Sequence, residues 1–83
     1  MTLPLSQIGL NAPAAVQKVG GERSFRRRLM ELGLVPGTEV MITKIAPLGD
    51  PLEIKVRGSR LSIRQQEAAM LMVELPSDYA QVA

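Results

Sequence analysis

Residues 52–57 alternate without a break: Leu52, Ile54 and Val56 fall on one side, Glu53, Lys55 and Arg57 on the other. A period of two with one apolar face predicts a half-buried antiparallel strand. Residues 38–45, TEVMITKI, are rich in β-branched side chains and predict another. After a compact reversal at Gly58-Ser59, LSIR resumes the alternation with Leu61 and Ile63 inward. MLMVEL predicts the closing strand, its inner side set by Leu71, Val73 and Leu75. Nearer the start, PAAVQKVGG predicts a short strand stopped by Gly20-Gly21.

The segment APLGDP, residues 46–51, places Pro47, Gly49, Asp50 and Pro51 in dense turn chemistry. QQEAA predicts a single helical turn before the last strand. The final residues, PSDYAQVA, show no periodicity and are expected to fray. Several short strands, tight turns and one inserted helix predict a mainly β domain, a small barrel over residues 1–75, with 76–83 as a tail. Closure of that barrel is expected to hide the strand edges.

The inserted helix is the exception to the β pattern. Residues 22–32 lack Gly, Pro, Val, Ile and Thr, and Gly33 suits the position just past a helix end. At about 100° per residue, Phe25, Leu29 and Leu32 form one stripe that is expected to pack on the barrel. Glu22, in the first turn, favours the helix dipole. The consecutive arginines spread around the axis: Arg26 and Arg28 flank the stripe on opposite sides, and Arg27 points outward with Arg23 and Met30. Arg28 is expected to brace the last turn, where a cation complements the dipole. Pro36-Gly37 matches the central positions of a type II turn. The stretch is no phosphate loop, because the lysine and the following helix are missing.

Two readings of the outward face stay open. The plain one is a solvated surface with a singly exposed methionine, which is ordinary. The sharper one is a partner-binding surface of Arg23, Arg27 and Met30, since Arg and Met are enriched in interface cores.

Composition narrows the chemistry. The 83 residues hold neither cysteine nor histidine, removing disulfides, thiolate ligands and the commonest general base. The acidic residues are scattered, so no metal site is expected. Asp50 is expected to bond its own turn backbone rather than an ion. No cofactor is implied. A net charge of +2 is too small to predict a DNA-binding face. Only Phe25, assigned to the core stripe, and Tyr79, in the tail, are aromatic, which argues against single-strand nucleic-acid binding. No run approaches the ~20 apolar residues of a membrane span, and the first residues lack a signal-peptide pattern. A soluble intracellular protein without direct membrane insertion is expected; self-association stays open.

RLMELGLVPGTEVMI, APLGDPLEIKV and LSIRQQEAAMLMVE, in this order, resemble the FeoA family, the small cytosolic component of bacterial ferrous iron transport. Arg28-Leu29, Leu32-Gly33 and Pro36-Gly37 match the family's Arg-Leu-x-x-Leu-Gly-x-x-Pro-Gly segment. Residues 46–51 match its loop, and 64–69 the segment before the last strand. The resemblance covers about residues 3–75. It implies an SH3-like β-barrel that associates with the large ferrous iron permease, whose cytosolic GTP-binding domain is the presumed contact. A non-enzymatic accessory is the implied role, cytoplasmic and held near the membrane through the permease. The alternatives are a GTPase regulator supplying Arg27 or Arg23 in trans and, further off, a nucleic-acid-binding barrel. The family supplies no catalytic residue, and its matched positions read as scaffold.

Overall fold

In the computed structural model, which describes residues 2–76, six antiparallel strands form one strongly bent sheet. They are β1 (Thr2–Pro4), β2 (Ala14–Val19), β3 (Glu39–Ile45), β4 (Leu52–Val56), β5 (Ser59–Ile63) and β6 (Leu71–Glu74). Helix α1 (Arg23–Glu31) lies between β2 and β3, and the single-turn α2 (Gln65–Ala68) between β5 and β6. The sheet order is β1-β6-β2-β3-β4-β5. From residue 77 on, the expected tail lies outside the described residues, and Tyr79 with it.

The alternation read from the sequence is what builds the core. Leu52, Ile54 and Val56 are buried, and they face Ile45, Ile42 and Val40 across the β3–β4 ladder. Val16 pairs with Val73, and Leu52 with Ile63. Leu71 and Val73 are buried, while Leu75 packs against the core from its edge. Opposed β-branched side chains on an inner face stabilise such ladders by roughly 0.2–1 kcal/mol per pair.

Several expectations need correction. The sheet is barrel-like but not closed: β1 and β5 are its ends and do not pair with each other. The edges are protected locally instead, since β1 is three residues long and ends in Pro4, and β5 carries exposed Arg60 and Ser62. The pattern gave no sign of β1, too short to alternate, or of the 3-10 turn Leu5–Gln7 behind it, which buries Leu5. The β4–β5 reversal turns on Arg57-Gly58, not Gly58-Ser59. Both central residues have positive φ (51° and 81°), and Val56 pairs with Ser59, as the twist of a two-residue hairpin favours.

Helix α1 starts one residue later than expected, with Glu22 outside it as the N-cap in extended conformation. Its far end overturns the place given to Leu32, which is 44% exposed. The chain leaves the helix there. Gly33, at φ 100°, donates its N–H to Met30 O (3.0 Å), and Leu34 N–H returns to Leu29 O (3.0 Å). These paired bonds form a Schellman ending, which brings the residue after the glycine onto the residue one turn back. Leu34 is therefore buried together with Leu29, and Phe25 packs on the core half-buried.

Candidate functional site: a cationic groove between α1 and β2

With Leu29 facing the core and Phe25 packed half-buried on it, the other residues of α1 are open to solvent. Arg23, Arg26, Arg27 and Met30 are all exposed. They stand at i, i+3, i+4 and i+7, one continuous stripe of a 3.6-residue helix. Beside the stripe runs a groove of about 370 Å³, lined by these four residues with Lys18 and Val19 of β2 and Pro36 of the following turn.

The β2 wall depends on an irregularity. The β2–β6 register shifts between Val16 and Lys18, leaving Gln17 as an extra residue. Simple alternation from Val16 would send Lys18 inward and Val19 outward. The bulge reverses that, so Gln17 and Lys18 are both exposed and Val19 is buried. Lys18 is thereby turned out, and it lines the groove with the arginines. Pro36 is held by the turn expected there: Thr38 N–H donates to Val35 O (3.0 Å) and Gly37 sits at φ 92°. Gly37 N–H also bonds Val16 O (2.7 Å), locking the turn onto β2.

The structure thus brings together Arg23, Arg27 and Met30, as the sequence reading placed them, and adds Arg26 and Lys18. Arg26, expected on one flank of the core stripe, joins them at the groove. The i, i+3, i+4, i+7 spacing carried that signal, whereas nothing in the local pattern announces the bulge that adds Lys18. Arg28 departs from the group. It forms a salt bridge with Glu67 of α2 and lies 5.9 Å from the centre of the Phe25 ring. Its role as a brace extends beyond its own helix to the neighbouring one. Among the described residues Arg28–Glu67 is the single salt bridge, so none of the groove's four cations forms an ion pair with a described residue.

The 46–51 loop is built differently. Asp50 Oδ1 accepts the Gln65 N–H (3.1 Å), and Gly49 O accepts from Gln65 Nε2 (2.7 Å). Asp50 therefore bonds the start of α2, not its own turn. Pro47 and Pro51 are exposed at this loop, Leu48 at its tip is 95% exposed, and the Asp50–Pro51 peptide is cis. Among the described residues no three acidic side chains gather as a metal site would require. A larger depression of about 560 Å³, bordered by Glu39, Lys55 and Arg57, mixes both signs of charge and has no comparable stripe.

A bent six-stranded sheet around one core, with a charged helix set into it, defines a small SH3-like barrel domain. Residues 3–75 match the FeoA domain family, and the chain belongs to that family. It is 34% identical over 76 residues to an Fe(2+) transport protein A/Fe(2+) transporter FeoB fusion protein of Porphyromonas gingivalis, covering 92% of this chain. The chain spans only 9% of the length of that fusion. Among solved structures it resembles the FeoA protein of Chlorobium tepidum, at 40% identity and a TM-score of 0.83, over 88% of this chain and 70% of that one. It likewise resembles the zinc complex of Stenotrophomonas maltophilia FeoA, described as a prokaryotic SH3 domain protein, at 36% identity and a TM-score of 0.74, over 89% of each chain.

Proposed function

We propose that this chain is a non-enzymatic accessory of ferrous iron uptake that docks on the cytosolic GTP-binding region of the iron permease. The observation that carries this reading is the fusion in Porphyromonas gingivalis, where a homologous domain and the FeoB transporter share one polypeptide. Two modules joined by a linker meet at a high effective concentration, so fusion is expected where the separate partners associate. The family's core and turns are accounted for by folding. In this reading the α1 stripe and its groove meet the partner, with Arg23, Arg27 and Met30 as the central contacts. The protein then acts in the cytoplasm, at the inner face of the membrane.

Co-purification of the tagged chain with the full-length permease from detergent-solubilised membranes tests the docking. Retention that is lost in Arg23→Glu/Arg27→Glu supports both the partner and the face. Absence of any association, in membranes as well as in detergent, overturns the reading.

A second reading rests on the exposure of Arg23 and Arg27 and their lack of a salt bridge among the described residues: one of them completes the permease's GTPase site. An arginine supplied in trans accelerates phosphoryl transfer by about 10³ to 10⁵. GTP hydrolysis by the permease with wild type and with Arg27→Ala separates the two. Equal rates with and without the chain leave only the docking role.

A further inference from the structure

We infer that the α1–β2 groove binds an acidic protein segment carrying an aliphatic anchor residue. The inference rests on the docking reading above and names the chemistry of what docks.

Charge is the first argument. Lys18, Arg23, Arg26 and Arg27 converge on one groove from a helix and a strand, and no carboxylate is among its lining residues. Glu22 and Glu31 border an adjoining depression with Arg23 and Arg27, not the groove itself, so four cations around about 370 Å³ repel one another and an incoming anionic segment relieves that repulsion. Their complement is a run of Asp or Glu, because exposed arginines pair with carboxylates in a bidentate fork.

The apolar part selects among anions. Met30 is 45% exposed, and Pro36 and Val19 stand on the opposite side of the same groove. The aliphatic stems of the arginines extend that apolar lining while their heads stay in water. A leucine or methionine of the bound segment buries there. A flexible methionine accommodates such a side chain without a fixed pocket shape. A nucleotide fits less well. None of the lining residues is aromatic, so a base has nothing to stack on, and no glycine lines the groove to bring backbone N–H groups close to a phosphate. The groove is also pre-organised: Leu29 anchors one wall, and the Gly37–Val16 bond holds the turn carrying Pro36 against the other. Little ordering is then left for binding to supply.

The test uses fluorescence anisotropy with the full chain and a labelled glutamate-rich peptide bearing one central leucine. A peptide with Gly in place of Leu and one with Gln in place of each Glu serve as controls. The leucine peptide is expected to bind, with affinity falling steeply as salt rises. Arg23→Gln/Arg27→Gln is expected to weaken it about tenfold, the sum of two rim charges. Arg60→Gln, a cation on the distant β5 edge, is expected to leave it unchanged. Met30→Gln should reduce affinity for the leucine peptide and not for the glycine peptide. Matching thermal melts certify that the variants fold.

Equal binding by wild type and Arg23→Gln/Arg27→Gln overturns the proposal, as does equal affinity for the glutamate and glutamine peptides. Displacement of the peptide by GTP or inorganic phosphate at lower concentrations than the peptide itself requires would make the groove a phosphate site and also overturn it. Loss of peptide binding with permease co-purification intact sinks this inference alone. Peptide binding without co-purification sinks the docking reading and leaves the groove's chemistry standing.

Discussion

Glu67 holds Arg28 in a salt bridge between the two helices while its other carboxylate oxygen accepts the Arg64 N–H at 2.8 Å. One side chain thus caps α2 and ties it to α1. Arg28 is 58% exposed and Glu67 15%, so solvent screens much of the pair. A double-mutant cycle of Arg28→Ala and Glu67→Ala should give a coupling of only about 0.2–1 kcal/mol. Glu67→Ala alone should cost about 0.5–2 kcal/mol, since α2 also loses its N-terminal acceptor. Glu67→Gln keeps that acceptor oxygen and should cost less. Urea denaturation of the four variants, the double mutant included, checks the coupling and the order.

Leu34 and Leu32 should respond very unequally to the same truncation. Leu34→Ala empties a fully buried site and is expected to cost about 2–5 kcal/mol. Leu32→Ala removes a half-exposed side chain and should cost about 1 kcal/mol or less. A larger loss at Leu32 would contradict the helix ending described above.

Two glycines separate backbone strain from crowding. Gly33→Ala puts a Cβ on a residue at φ 100°, where its nearest neighbour, Val56 Cγ1, is an ordinary 3.7 Å away. The cost is then conformational, about 1–2 kcal/mol. At Gly21, φ 91°, the added Cβ would come within 2.8 Å of the Phe25 ring. Gly21→Ala carries the same backbone cost and must displace the half-buried ring as well, so it should lower the thermal midpoint further than Gly33→Ala does.

The 46–51 loop should loosen without Gln65. Its side-chain amide and backbone N–H hold Gly49 and Asp50, and Gly49 N–H bonds Ala46 O at 2.7 Å within the loop. Gln65→Ala removes one bond worth about 1 kcal/mol, so Gly49 amide hydrogen exchange should quicken about fivefold. Amides in the β3–β4 ladder should keep their rates.

The sequence announced those parts of the fold in which one rule acts alone. Strict alternation located β4, and turn chemistry located Pro36-Gly37. Leu29 was legible because it sits mid-helix, where the 3.6-residue period holds. Leu32 was not, because the period had already ended and Gly33 returned the chain through Leu34. The site was half legible for the same reason. Arg23, Arg27 and Met30 follow from helix geometry, but Lys18 reaches them from another element through an irregular register. The partner of Asp50 was not legible, because Gln65 lies on a different element and local turn rules see only neighbours.

The bulge at Gln17 gives β2 one residue more than its ladder with β6 uses. Replacing Gln17 gives up its side-chain bond to Glu74 and leaves every other side chain on its side of the sheet. Removing Gln17 takes out the extra residue and restores plain alternation, with Val16 inward, Lys18 outward and Val19 inward, so Lys18 and Val19 keep the sides they already have. An in-frame deletion and a substitution at this one position would therefore be read by this domain as similar events: each gives up a surface contact and leaves the boundary between inside and outside where it was.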